Sequence, residues 1–348
     1  MNNHIQALTG LRGVAALIVF VSHGANQQVL PKVLGNGFGQ IGVMLFFVLS
    51  GFLMAYLYLH KDPTANQIRS FALARIGRVF PLYVALILAS FFLIATGLKT
   101  DFHYRVEGAV VLTEALLFLR APNEFWTIPV EVQFYCLFLM VWWVSRRTPQ
   151  RELSALFIFW GLSAVPSIVY WIVKEGVLPL VTTYATPFFL GVLFAKLLHR
   201  VRSSQWHQRS ADRLGLIFFV AVLVNLPSLR LEYGIVLGDG FYLRTWLDPL
   251  NWMLVLGLFY CAMLNGSSLR FLGGKLTSYF GNISYALYLF HSTVLIAVTE
   301  TELPNALKFP TALCIVISLA HVSGRYFEVP AAAAIRKIGA SKARVSSE

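Results

Sequence analysis

The sequence predicts an all-α fold, a polytopic membrane helix bundle of about ten transmembrane helices, and three observations lead there. Of the 348 residues, 57% are hydrophobic and only 13% charged. The mean hydropathy of +0.67 is higher than a water-soluble domain of this size normally reaches. Apolar runs of roughly twenty residues recur from one end to the other between short charged loops, and that length crosses a hydrocarbon core of about 30 Å as a helix.

Breaking the runs at charge clusters and at Pro or Gly gives the spans in order. They are Gly13 to Val29, Gly39 to Leu59, Pro81 to Leu98, Pro129 to Val144, Leu153 to Val173, Leu180 to Leu198, Leu214 to Leu226, Leu250 to Leu264, Ile283 to Thr299 and Pro310 to Tyr326. The stretch Ala109 to Leu119 is apolar but too short to cross and contains Glu114, so a re-entrant or interfacial helix is expected there. No room is left for a soluble domain, so residues 1–330 are expected to form a single membrane-embedded domain. Residues 331–348 are expected to be a cytoplasmic basic tail, its last dozen residues disordered. The first run lacks a preceding basic segment and a following small-residue cleavage site, which marks it as a retained span.

Charge orients the bundle. Assigning the loops alternately to the two sides places 18 Lys and Arg residues on one side and 8 on the other. The positive-inside rule then puts both termini in the cytoplasm, in a bacterial setting on the inner face of the cell inner membrane. The net charge of +12 is distributed over these loops rather than gathered in one patch, so the partner it implies is the lipid bilayer and not nucleic acid. Cys136, Cys261 and Cys314 all fall in apolar runs, where small buried hydrophobes are expected and neither a disulfide framework nor a metal site.

The first apolar run carries Arg12 at its start and His23 inside it, where a membrane span normally holds neither. The step from Arg12 to His23 is roughly 16 Å along a helix, so if Arg12 marks one interface, His23 sits near the midplane. An imidazole at that depth points to function, while a hydrogen bond to a neighbouring helix, or an early helix end at Gly24, is the structural alternative. Arg75 and Arg78, three residues apart before Pro81, share a helical face and make a pair of guanidinium forks suited to phosphates. Ordinary positive-inside anchoring explains either arginine alone.

Trp126-Thr127-Ile128-Pro129-Val130-Glu131 opens the fourth span, with Tyr135 one turn further on. An acid in a first helical turn and a Trp at an interface both have structural explanations; the functional one is a Glu131 that pairs with His23. In the ninth span, Ser284, Tyr288 and His291 fall at intervals of four and three and form one polar stripe, read as interhelical glue or as part of the chemistry. Ser50-Gly51 in the second span reads as a helix-packing site.

Taken in chain order, Arg12 and His23, Phe47 to Phe52, the Arg75/Arg78 pair before a Pro, Trp126 to Glu131, the Ser284 to His291 stripe and the ending Glu328 and Pro330 resemble the acyltransferase-3 family of integral-membrane O-acyltransferases. No single element is specific, but the set spans nearly the whole chain. The resemblance implies transfer of an acyl group, usually acetyl from acetyl-CoA, to a hydroxyl of a sugar or related compound. It implies His23 and Glu131 as catalytic, Arg12, Arg75 and Arg78 as the donor-phosphate residues, and Trp126, Tyr135, Ser284, Tyr288 and His291 as acceptor-side or supporting polar groups. Acyl-CoA is then the donor substrate, with no metal, and the acceptor a carbohydrate, glycolipid, surface polysaccharide or macrolide. The chain stops soon after the tenth span, as in members without an added C-terminal domain.

A proton-coupled secondary transporter is the alternative that the span count and intramembrane ionisable groups also allow. No internal repeat supports it. A protein with no chemistry fits poorly with so many polar groups at membrane depth.

Overall fold

The computed structural model describes residues 3–98, 104–147, 154, 156–158, 160–162, 165, 169, 180–234 and 245–345. Among them the regular structure is helical and contains no strand. The helices are α1 (Asn3–Asn26), α2 (Phe38–Tyr58), α3 (Ala65–Ala95), α4 (Gly108–Leu116), α5 (Thr127–Arg147), α6 (Val181–Arg202), α7 (Gln205–Val224), α8 (Pro227–Glu232), α9 (Pro249–Met263), α10 (Lys275–Thr299), α11 (Asn305–Ser323) and α12 (Val329–Val345).

Seven segments among the described residues are long and apolar enough to cross a membrane: Gln6–Asn26, Lys32–Tyr58, Ala65–Ala95, Asn123–Arg147, Val181–Arg202, Lys275–Thr299 and Asn305–Lys337. The pair formed by α9 and the 3-10 turn Ser267–Gly273, bent by 82°, is a broken span, which would make an eighth, or a re-entrant loop. The expected all-α polytopic bundle is therefore the architecture found. Most of the fifth expected span lies outside the described residues. The seventh corresponds to α7, whose first half, Gln205 to Arg213, is too polar to belong to a span.

The chain divides into two compact units, Met1–Leu53 with Pro187–Ile317, and Met54–Thr186 with Ser318–Glu348. In the first unit α1 lies along α10 at backbone contact. A Cβ added to Gly13 would stand 2.7 Å from the Gly281 nitrogen, and one added to Gly281 only 1.9 Å from the Thr9 carbonyl oxygen. Small residues at a helix crossing allow this approach, and van der Waals packing and hydrogen bonds hold it where lipid offers no hydrophobic drive between helices. The same device joins α2 to α6, since a Cβ on Gly51 would lie 2.0 Å from the Phe188 carbonyl oxygen. Ser50-Gly51 is thus the packing site its sequence suggested.

A buried polar knot closes one end of this unit. Arg230, on α8, pairs with Asp248 and donates to Asn251 Oδ1 at 3.1 Å. Asp248 also caps α9 by accepting from the Leu250 backbone N–H at 2.8 Å. Asn225 donates to Asn251 Oδ1 at 2.7 Å, and Asn251 donates to the Thr245 carbonyl at 2.9 Å. The Arg230 and Asp248 side chains are only 12% and 5% exposed, so the pair depends on these extra bonds to offset its desolvation.

In the second unit α3 departs from expectation. It does not start at Pro81 but at Ala65, where Thr64 Oγ1 accepts from the Gln67 N–H, and it passes through Pro81 without a break. The Arg-containing stretch before the proline is made of good helix formers, and Gly77, one turn earlier, brings α3 close to α12, with Ala332 Cα 3.1 Å from the Cβ position. At 31 residues α3 is roughly 46 Å long, so part of it extends past a membrane core. The tail also differs from expectation: Pro330 and the run of alanines after it continue a helix to Val345 that packs on α3, entered through a π-helical turn at Gly324–Glu328. The short α4 matches the expected non-spanning segment, its Ala115 carbonyl accepting from the Tyr83 hydroxyl at 3.0 Å. Cys261 is buried as expected, but Cys136 and Cys314 are exposed on the flanks of α5 and α11, where helices this apolar face lipid.

Candidate active site

His23 does not lie at the middle of its helix. The helical apolar segment runs from Gln6 to Asn26, which puts the imidazole in its last turn. The span begins at Gln6, so Arg12 lies inside it and does not mark the interface that its charge suggests. Arg12 is instead accommodated within the protein, Nε and Nη2 both donating to the Gly281 carbonyl at 3.0 and 2.7 Å. Ser284 donates to the same oxygen at 2.9 Å. Arg12 and Ser284 thus meet on one carbonyl at the α1–α10 crossing.

Toward the other end of that crossing, His23 and His291 stand edge to face with ring centroids 4.7 Å apart. Ser292 lies between them. Its Oγ is 3.5 Å from His23 Nδ1 and 3.2 Å from His291 Nε2, while His291 Nδ1 meets the Tyr288 carbonyl. These contacts fit one arrangement of the protons. A carbonyl only accepts, so His291 Nδ1 carries the hydrogen and, in the neutral ring, Nε2 accepts from the Ser292 hydroxyl. In that arrangement the Ser292 oxygen accepts from His23 Nδ1–H, and Nε2 is the basic nitrogen of that His23 tautomer. His291 is fully buried and Ser292 is 3% exposed, so the chain Tyr288–His291–Ser292–His23 has no water to compete with it from the α10 side. Tyr288 is held in turn by the Phe46 ring, 6.1 Å away and nearly perpendicular. His23 itself is half-buried and opens onto a cavity of about 900 Å³.

Ser292 lies on the polar stripe of α10 but gains its meaning only from the histidine that α1 brings to it. Ser284, Tyr288 and Ser292 repeat at intervals of four and lie on one helical face, beside the expected Ser284, Tyr288 and His291 stripe.

The second unit holds the other candidates. Arg75 lies between two rings, its Cζ 5.8 Å from the centroid of Phe71 and 5.9 Å from that of Tyr135. Its Nε is buried without a hydrogen-bond partner. Arg78, Arg75 and Glu131 all act electrostatically on the Tyr135 hydroxyl, and Arg78 also acts on Glu328, which accepts from Ser323 at 2.9 Å. The two arginines, Glu131 and Tyr135 thus form one charged cluster around α3 and α5. Trp126 closes the 3-10 turn that leads into α5 and packs its ring 4.6 Å from that of Tyr184.

Comparison with known proteins decides what these elements belong to. The model of the acyltransferase domain family, Acyl_transf_3, matches residues 5–323. The chain belongs to the acyltransferase-3 family. The match takes in both histidines, Ser292 and the arginine pair. A Staphylococcus aureus (strain COL) protein named a putative O-acetyltransferase is 25% identical to this chain, over 94% of this chain and 57% of its own length. The acyltransferase MdmB of Streptomyces mycarofaciens is 28% identical over 43% of this chain and 42% of its own. Protein 2 in the picA locus of Rhizobium radiobacter is 40% identical, over 33% of this chain and 64% of its own. This acyltransferase-3 chain spans a little over half the length of the staphylococcal relatives it matches. No solved structure matches it.

Proposed function

We propose that this protein is a membrane O-acyltransferase that moves an acyl group, acetyl as the first case, from cytoplasmic acyl-CoA to a hydroxyl of a sugar, surface polysaccharide or related acceptor. The observation that carries the proposal is the hydrogen-bond chain from the Tyr288 carbonyl through His291 and Ser292 to His23 Nδ1, in a chain of this family. It orients His23 as a general base, with Nε2 as the nitrogen that takes up a proton.

In the step that follows, His23 Nε2 accepts the proton of the acceptor hydroxyl as its oxygen attacks the thioester carbonyl carbon. The new carbon–oxygen bond replaces the carbon–sulfur bond, and the leaving thiolate receives the proton back from the imidazolium. Such a base contributes about 10²- to 10⁴-fold; positioning and exclusion of water supply the remainder. Glu131 is the catalytic carboxylate in this reading. Arg75 and Arg78 hold the donor phosphates, and a buried Nε without a partner on Arg75 suits an anion. Arg12, the third arginine that the family resemblance assigns to the donor, is held in α1 by its bonds to the Gly281 carbonyl.

The surplus of basic residues on one side supports a bacterial cytoplasmic (inner) membrane location with both termini inside. The purified chain, given acetyl-CoA and a hydroxyl acceptor, should release free CoA thiol and yield an acylated acceptor. A chain that consumes no thioester but moves a solute across vesicles would be a transporter instead.

A further inference from the structure

The cavity at His23 has a composition that goes beyond a general hydroxyl site. At about 900 Å³ it lies within the range of small-molecule sites, about 300 to 1,000 Å³. About half of its lining is polar, with Asn26, Gln28, Lys32, Asn36 and Gln40 around His23, and no acidic side chain is among the described residues that line it. Two of these amides have their orientation fixed. Gln40 Oε1 accepts from the Trp246 indole N–H at 3.1 Å, and Asn26 Oδ1 accepts from the Asn36 backbone N–H at 3.1 Å. Both partners are groups that can only donate, so the carbonyl ends of these amides face protein and their NH₂ ends are the ones offered to a ligand. No protein group among the described residues takes up either NH₂. Lys32 at the rim adds an ammonium.

The arrangement of Gln40 is built rather than incidental. Trp246 is 3% exposed, and its carbonyl accepts from the Trp252 indole at 2.7 Å. The neighbouring Thr245 carbonyl is tied to Asn251, and through it to the Arg230–Asp248 pair. The buried polar knot therefore supports the residue that sets the Gln40 amide.

Resting on the acyltransferase reading, we infer that this cavity is the acceptor subsite and that it selects a hydroxylated acceptor bearing an anionic group, a sugar carboxylate or a sugar phosphate, beside the hydroxyl to be acylated. A wall that presents NH₂ groups and an ammonium, with no carboxylate among its described residues, complements oxygen acceptors carrying negative charge. Gln40 is a specificity residue in this assignment, and Trp246 a positioning residue that acts through it.

The test is binding of three probes to the purified full chain in detergent by saturation-transfer NMR: methyl glucoside, methyl glucuronide and glucose 1-phosphate. The two anionic probes should bind about tenfold more tightly than the neutral glucoside, and their ratio distinguishes carboxylate from phosphate. Lys32→Ala, at an exposed position that touches no core packing, should abolish the preference. Gln40→Leu should weaken the anionic probes about tenfold, and Trp246→Phe, which keeps a ring but removes the N–H, should weaken them less. Binding of the neutral probe as tightly as the charged ones, a preference that survives Lys32→Ala, or no probe bound at all would each overturn the assignment. CoA release measured on the same preparation separates the two readings. Thioester turnover without probe binding removes the subsite and keeps the enzyme; probe binding that depends on Gln40 and Lys32 without thioester turnover does the reverse.

Discussion

Ser292 Oγ stands 3.5 Å from His23 Nδ1, and this contact ties α10 to α1 at the proposed base. In the proposed mechanism Ser292 acts through His23, so its role is positioning. Ser292→Ala should lower kcat about tenfold and leave the KM for acyl-CoA unchanged, because the lost hydrogen bond frees the imidazole to turn without altering the donor side. Ser292→Thr, which keeps the hydroxyl, should recover most of the loss. An alanine variant with unaltered kcat would remove Ser292 from the mechanism.

The arginine pair should respond differently. Arg75→Ala and Arg78→Ala are expected to raise the donor KM, with the double variant about a hundredfold weaker and kcat less affected, since phosphates lie far from the reacting carbonyl. Arg→Lys should rescue only in part, because an ammonium cannot reproduce the bidentate fork. Steady-state kinetics at varied acyl-CoA concentration reads the split. Equal donor KM in the correctly inserted double variant rejects the assignment.

Stability is the readout for the polar knot. Asp248→Ala leaves Arg230 buried without its carboxylate and removes the cap of α9, and the cost of breaking such a pair is about 3 to 5 kcal/mol. Thermal unfolding in detergent should fall by several degrees, and Asp248→Asn, which keeps the cap oxygen, should fall less. A melting temperature equal to that of the parent protein would mean that the pair contributes nothing.

Orientation has its own measurement. With both termini and the segment from Lys61 to the start of α3 inside, single cysteines placed at Arg202 and Ser346 should resist a membrane-impermeant thiol reagent added to intact cells, and one placed at Lys32 should react. Strong labelling at Arg202 or Ser346 reverses the topology.

How much of this was legible in the sequence differs by level. Apolar length and period were enough for an all-α bundle and for most helix positions, because the hydrocarbon core fixes how long a span must be. Helix ends were less legible. Arg12 and Pro81 were both read by their usual surface meaning, a membrane interface and a helix start, whereas the folded chain pairs Arg12 with the Gly281 carbonyl and carries Pro81 inside α3. Alternating composition cannot reveal either, since each depends on a partner distant in sequence. At the site, His23 and His291 stood out as ionisable groups in apolar runs. Ser292 did not, because a serine in a span costs little and gains meaning only from the histidine that α1 brings to it. The Trp246–Gln40 bond, across 206 residues, left no sequence signal at all.

The sharpest prediction concerns His23. If it is the general base, His23→Ala should insert and fold at parental levels and lose about 10²- to 10⁴-fold in kcat. If it only bonds to Ser292, the same change should cost about 0.5 to 1.5 kcal/mol of stability and keep most of the turnover. His23→Gln separates these outcomes, because a glutamine amide can still donate to the Ser292 oxygen but cannot take up a proton. The base reading requires the glutamine variant to be as inactive as the alanine one. Near-parental turnover by His23→Gln, at equal amounts in the membrane, would make His23 structural and move the proton to His291. That residue is a poor substitute on geometric grounds, since its Nδ1–H is committed to Tyr288, its Nε2 to Ser292, and the ring is fully buried. The parallel variant His291→Gln should accordingly reduce kcat by less than His23→Gln does, and the ranking of the two can be read from CoA release in a single assay.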